Sequence, residues 1–228
     1  TRLRVAADRT LTGTKAKTLE DHFSAIAAGT TVDVEIDPAS PPQRQKEVLE
    51  AASKRGASVR LVAGDSRILR IHMERGQRLR VEDYTVYFWD TVENVSVYDR
   101  KDVHCVEFGR LKKGDLRRWQ DLQLTFEEVS KDAISLEVEI KPGAPSFGGG
   151  HYYALRTGLR VEFPGDRAFT LAAFDPSKPE IKALIEGAGK SEERTLEPKS
   201  SARVAGIFYR LFKDDQAGGR LRLLLDGD

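Results

Sequence analysis

The chain of 228 residues contains a single cysteine, Cys105. An intrachain disulfide is thereby excluded, as is a metal site built from several cysteines. One cysteine suits the cytoplasm, and equally an extracytoplasmic domain large enough to need no covalent staple. An excess of either charge is missing too: 37 Lys and Arg stand against 36 Asp and Glu, a net charge of +1. That balance gives no global field to draw in nucleic acid or an anionic membrane, although local basic patches remain open. No run of about 18 apolar residues occurs, so no membrane-crossing helix is expected, and no signal-peptide pattern is visible. The four histidines, His22, His72, His104 and His151, show no HxxxH, HExxH or HxH spacing. A Ser-His-Asp motif, a glycine-rich dinucleotide loop and a paired-carboxylate signature are all lacking. No catalytic residue, cofactor or metal is expected on these grounds.

What is present is a globular composition, 39% hydrophobic and 32% charged, in a chain long enough for one large domain or two small ones. The chain opens Thr1-Arg2-Leu3-Arg4, so either an initiator methionine has been removed or an upstream part is missing. Residues 1–64 alternate strands and helices. Leu3–Ala6 is a short strand. Thr18 is placed to cap a helix, with Asp21 in the capping-box position and Leu19, Phe23, Ile26 and Ala27 on one face. Gly29 closes that helix. Val32, Val34 and Ile36 share one face of a strand. Ser40, Pro41 and Gln43 read as cap, first turn and capping box of a second helix carrying Val48, Leu49 and Ala52. Gly56 closes it, and Ser58–Ala63 is the next strand. The unit is β-α-β-α-β.

From Tyr84 the hydrophobic period becomes two. Strands are expected near 85–89, 95–98, 103–108, 122–129, 134–140, 152–163 and 168–174, then a helix over Pro179–Glu186, then strands near 204–212 and 221–225. The fold class is therefore α+β: a small β-α-β-α-β module over 1–64, then a β-rich, sandwich-like domain over 65–228 with one or two helices.

Several segments invite a functional reading. Residues 66–81 carry Arg67, Arg70, Arg75, Arg78 and Arg80 against one acidic residue, Glu74. They read as a strand pair bent at Gly76, either a solvated face or a docking strip for an acidic or phosphorylated partner. Gly148–Gly150 followed by His151, Tyr152 and Tyr153 reads as a long loop beside an aromatic strand, or as a peptide-contact loop. Asp102, His104 and Cys105 sit close together, but adjacent strand residues face opposite ways, so a His104–Cys105 dyad requires a bulge. Glu186–Ser191 resembles the end of a phosphate loop but lacks the upstream glycine, and reads as a helix end running into a polar loop. Trp89 and Trp119 adjoin apolar runs and read as packed rings or interface anchors. Phe108–Leu122 interleaves aromatic and basic residues, with Asp115 and Asp121 opposing a nucleic-acid role.

Leu19-Glu20-Asp21, Val34-Glu35-Ile36-Asp37, Val48-Leu49-Glu50-Ala51-Ala52 and Arg55-Gly56-Ala57-Ser58-Val59 follow one another in a way that resembles the periplasmic domain of the ExbD/TolR biopolymer-transport family. The resemblance covers residues 3–63. It implies coupling or scaffolding at the cell envelope, with a membrane anchor upstream of Thr1. The family's transmembrane helix is not in this chain, and the family does not normally carry a β-rich domain after this module. The resulting expectation is a non-enzymatic envelope module that binds a protein partner, a second copy of itself or a cell-wall polymer. Contact would run through Arg67, Arg70, Arg75, Arg78, Arg80, His151, Tyr152 and Tyr153, or by strand addition beside Arg60. The alternatives are a cytoplasmic enzyme with His104 or His151 as general base in a site between the halves, and a nucleic-acid or phosphate binder using Arg67–Arg80 and Lys112–Trp119.

Overall fold

The computed structural model describes residues 2–90, 94–101, 103–149, 151–214 and 220–227. The amino-terminal segment forms β1 (Leu3–Val5), β2 (Leu11–Thr12), α1 (Leu19–Ser24), β3 (Thr31–Ile36), α2 (Pro42–Ser53) and β4 (Ser58–Leu61). Then come β5 (Ile68–Glu74), β6 (Arg78–Val81), β7 (Tyr84–Phe88), β8 (Val95–Tyr98), β9 (His104–Phe108), β10 (Leu116–Trp119), β11 (Leu122–Val129) and β12 (Ala133–Ile140). The carboxy-terminal part adds β13 (Ser146–Phe147), β14 (His151–Tyr153), β15 (Arg160–Phe163), β16 (Arg167–Phe174), β17 (Ile181–Gly187), β18 (Lys190–Leu196), β19 (Ser201–Val204), β20 (Ile207–Asp214) and β21 (Arg220–Gly227). The chain is a β-rich α+β fold, as its period-two runs lead one to expect.

Among the described residues the strands make two sheets. Sheet one has twelve strands in the order β19-β20-β21-β14-β9-β8-β7-β6-β4-β3-β1-β2, and sheet two has nine, β18-β17-β16-β15-β13-β10-β11-β12-β5. Their inner faces share one core, with Val86, Phe88 and Phe108 of sheet one and Phe126, Leu136 and Phe169 of sheet two all fully buried. Alternation decides which residues enter it: on β5, Leu69, Ile71 and Met73 are buried while Arg70 and Glu74 are exposed.

Sheet one continues through residue 64 without a break, because β4 pairs in parallel with β3 on one side and β6 on the other. The strand beside Arg60 is therefore internal and offers no free edge. What changes near residue 64 is the cover. The inner face of β1 and β3 packs against the helices, in a second cluster of Leu3, Phe23, Val34, Val48 and Ala52. Ile36 and Val59 touch both clusters. α2 thus extends the layer of sheet two, and the joint between them is specific. β5 is the last strand of sheet two. In place of a further strand, Gln45 donates from Nε2 to the His72 carbonyl at 2.6 Å and accepts from the His72 N–H at 3.0 Å. A side-chain amide does here what the peptide group of a neighbouring strand would do.

Some local expectations shift. Thr18 caps α1, accepting from the Asp21 N–H at 3.1 Å, but the helix ends at Ser24 rather than near Gly29. Ser40 does not cap α2. The cap is Pro41, held extended by the Pro42 that follows it, so the helix starts one residue late. The helix expected over Pro179–Glu186 is strand β17, in which Ile181, Ala183 and Ile185 are buried alternately between β16 and β18. Its Lys, Ala, Leu and Glu favour helix locally, and pairing on both sides overrides them. Among the described residues no helix follows α2. Residues 152–163 are two strands, β14 and β15, interrupted at 154–159. The phosphate-loop-like segment is the β17–β18 hairpin turn, with Ala188 at φ 52° and Gly189 at φ 70° between the paired Gly187 and Lys190. Two positive φ values make this the tight turn that matches strand twist.

Two outcomes are expected. Ala188→Gly relieves an alanine held in the left-handed region and raises stability by about 1 kcal/mol in urea unfolding. Gln45→Leu leaves both partly buried His72 backbone groups without their side-chain partner and lowers stability by about 1–3 kcal/mol, whereas loss of only an exposed hydrogen bond would cost about 1 kcal/mol or less.

Candidate functional site

The five arginines of residues 67–80 do not form one strip, because β5 and β6 belong to different sheets. Arg67 sits exposed in the turn before β5, its carbonyl accepting from Ile140 N–H at 2.9 Å. Arg70 lies on the outer face of sheet two between Glu127 and Glu137, each at 3.3 Å. Arg75 is spent on the connection: it donates to the Lys131 carbonyl and, at 3.2 Å, to the Asp90 carbonyl, and its guanidinium stands 5.7 Å from the Phe88 ring centre. Arg78 and Arg80 emerge on the outer face of sheet one, the opposite side of the sandwich. Of the aromatic group, Tyr153 is core: it is 2% exposed, bonded to the Gly148 carbonyl at 2.7 Å, and burial pushes its phenol well above the usual range. Tyr152 reaches the outer face of sheet one. His151 begins β14, and its side chain and Gly150 lie outside the described residues.

That outer face gathers aromatic rings and arginines. Arg78, Tyr87, Ser96 and Glu107 stand opposite one another across β6 to β9. The Tyr153–Val106 pairing puts Tyr152 beside Glu107, and Leu224 and Arg210 continue the row. A second row runs through Arg80, Thr85, Tyr98 and His104, with Arg222 and Phe212 paired farther along. The Arg78 guanidinium lies 4.7 Å from the Tyr87 ring centre and 5.1 Å from that of Tyr98. Arg222 lies 5.4 Å from the Tyr152 ring, which meets Phe212 edge to face at 5.3 Å. Trp89 joins the same face, its indole N–H donating to Ser96 at 2.8 Å and its ring 5.2 Å from Tyr87. Trp119, by contrast, is 2% exposed and part of the core. The strip crosses seven adjacent strands, about 29 Å at the usual strand spacing of about 4.8 Å.

A bulge in β9 shapes its centre. Val97 pairs with Val106 but Tyr98 pairs with His104, leaving Cys105 as the extra residue. His104 therefore stays outside with Tyr98, ring centres 5.3 Å apart, while Cys105 joins the core cluster. The bulge is the one circumstance that a His104–Cys105 dyad required, and it separates the two side chains instead. Asp102 lies outside the described residues. Burial pushes the Cys105 thiol up to about 11, a protonated and unreactive state near neutrality. The His104 imidazole is pushed down to about 4, by burial first and by the Arg222 charge second. Glu107 is 9% exposed and accepts from Asn94 at 2.6 Å. Burial raises its carboxyl, opposed by Asn94 and Arg222.

Elsewhere, a groove of about 620 Å³ lies between the 37–42 loop and the outer face of sheet two. In it His72 Nδ1 stands 3.1 Å from Ser135 Oγ, which is 3.4 Å from Glu128. The carboxylate meets the serine rather than the imidazole, so it cannot orient the ring as the third member of a nucleophilic triad does. Among the described residues no three His, Cys, Asp or Glu side chains are placed to hold a metal ion, and no helix is long and apolar enough to cross a membrane.

Sequence reasoning found Arg78, Arg80 and Tyr152 but missed Tyr87, Tyr98, Arg222 and Phe212. The available signal was parity: in Val95-Ser96-Val97-Tyr98 the tyrosine occupies the position that alternation reserves for a solvent-facing residue. Compared with family models, curated proteins and solved structures, the chain matches none. The likeness of residues 3–63 to the ExbD/TolR domain rests on the residue pattern alone.

His104 gives the strip a measurable pH dependence. Its folded pKa lies below the unfolded value, so its neutral form contributes stability above pH 6.5, and that contribution falls away as pH drops toward 4. At pH 5 the loss reaches about 2 kcal/mol, and Glu107, whose carboxyl is raised, acts in the opposite direction. Urea midpoints of wild type and His104→Phe at pH 7.5 and 5 are expected to converge at the lower pH. Parallel behaviour of the two proteins would refute the buried neutral imidazole.

Proposed function

We propose that this protein is a non-enzymatic binding module whose partner is a protein with an acidic face, docked across the outer face of sheet one. The observation that carries this reading is the composition of the strip. Tyr, Trp, Phe and Arg are the residues enriched where proteins bind one another, and the strip is built from them. Two cation–π contacts hold the Arg78 guanidinium in place between the Tyr87 and Tyr98 rings, which lowers the side-chain entropy lost when it meets a carboxylate. Glu107, the acidic residue in the middle of the first row, is 9% exposed and held by Asn94, so it presents little of its carboxylate to a partner, whereas Arg78 and Arg80 stand exposed on the same face. The strip is about 29 Å long and two side-chain rows wide, smaller than the ~800 Å² that one partner contributes to a standard interface, so it would form the centre of the contact rather than the whole of it. A second copy of the same cationic strip would meet like charge, which favours a different protein as the partner. The ExbD/TolR-like pattern of residues 3–63 supports an envelope setting for this scaffold.

The test is site-specific photo-crosslinking in cells, with the probe at Tyr87 or Phe212 and, for comparison, at Lys182 on the outer face of sheet two. One partner protein is expected from the first two positions and not from the third. The purified partner should then lose about tenfold or more in affinity for Arg78→Glu. Equal capture from both faces, capture of a second copy of the chain, or insensitivity to charge reversal would each defeat the proposal.

A further inference from the structure

A second site lies away from the strip, at one open end of the sandwich. A cleft of about 610 Å³ opens between Tyr84 of sheet one, the Gln120–Asp121 turn of sheet two, the 142–146 loop and Arg156. That volume suits a small molecule or a chain end. Arg156 lies over Trp119, guanidinium to ring centre 5.1 Å, and Trp119 is held in the core at 2% exposure. The orientation of the Gln120 amide follows from its neighbours, since the opposite one would set its NH₂ against the guanidinium. With Oε1 toward Arg156 it accepts from Nη1 at 2.6 Å and Nη2 at 3.1 Å, and its Nε2 donates to the Tyr84 hydroxyl at 3.3 Å. Tyr84 in turn donates to Asp121. Burial, then Asp121, raise the phenol far enough to keep it a donor at any physiological pH.

A directional chain of hydrogen bonds therefore runs from Arg156 through two neutral groups to Asp121. The cation and the anion are each fixed in place, yet among the described residues neither forms an ion pair with the other or with a third side chain. The neighbouring Arg160 shows the contrast, being neutralised by Glu186 and, at 3.4 Å, by Glu162. We propose that this cleft binds a zwitterionic amino-carboxylate, such as a short peptide, with the carboxylate on Arg156 and the ammonium on Asp121. A planar guanidinium preoriented on an indole is suited to a carboxylate through paired N–H donors. A ligand with only an anionic group would leave Asp121 uncompensated beside it, and a ligand with only a cationic group would do the same to Arg156. The ligand class is thus set by the two charges together.

The probe is glycylglycine, titrated into the full chain and followed by amide NMR shifts, with N-acetylglycine and glycinamide as carriers of one charge each. Saturable binding of glycylglycine is expected, with both single-charge probes weaker by about tenfold or more. Arg156→Gln should abolish the carboxylate's contribution, so that glycylglycine binds no better than glycinamide. Asp121→Asn should instead make glycylglycine and N-acetylglycine equivalent. Arg156 is an exposed side chain, and a melting curve for each variant confirms that the fold survives. Should one variant fail to fold, the other still decides the point. Absence of saturable glycylglycine binding to the wild type, unchanged binding in a folded variant, or equal binding of N-acetylglycine to the wild type would overturn the assignment.

Discussion

A twelve-stranded sheet must have the whole of one face covered, and sheet two is too narrow to cover it alone. The remaining width is closed by α2, so the structure depends on a helix standing where a strand would otherwise be. Burial of Val48 and Ala52 against β3 provides the adhesion. The two hydrogen bonds between Gln45 and the backbone of His72 set the alignment and close an edge that would invite another chain. Here an apolar cluster and a polar one divide the work: the first drives the layers together, the second fixes where the helical layer ends and the sheet begins.

With the inner face of sheet one committed to the core, the solvent-facing positions of its strands are left to carry function. On β3 and β4 these positions neutralise one another, as Asp33 does with Arg60 at 2.7 Å. On β6 to β9 and on β14, β21 and β20 they hold aromatic rings and guanidinium groups in contact with one another. The β9 bulge sharpens the division by turning the sole cysteine inward and holding the adjacent histidine outside. The chain thereby separates two titratable side chains that its sequence sets next to each other. The cleft at the end of the sandwich follows a different logic. Loops of both sheets converge there, and charges far apart in sequence, Asp121 and Arg156, are linked by neutral donors rather than paired.

Much of the local structure was legible because it rests on short-range physics. The Thr18 cap, the strands over 122–129 and 134–140, and the shared burial of Val32 and Val34 need only the residues concerned. The helix expected at 179–186 failed where local preference and pairing disagree: Lys182, Ala183, Leu184 and Glu186 all accept a helix, and only the strands on either side forbid it. The basic segment 67–80 failed for another reason. Five arginines close in sequence look like one surface, but the chain crosses from one sheet to the other between Arg75 and Arg78. Arg70 is thereby sent to a pair of glutamates, and Arg78 to a pair of tyrosines.

The sequence by itself determined that the chain is β-rich after residue 84, that two helices interrupt strands before it, and which side of β3 is buried. These are consequences of periodicity, a property of neighbours within one segment. The tertiary structure alone decided that sheet one runs unbroken through residue 64, that Tyr87, Tyr98, Tyr152 and Phe212 share one face, and that Arg156 and Asp121 face one cleft. These depend on strand order and register, which join segments far apart in the chain, and no local pattern encodes which distant strand a given strand will pair with.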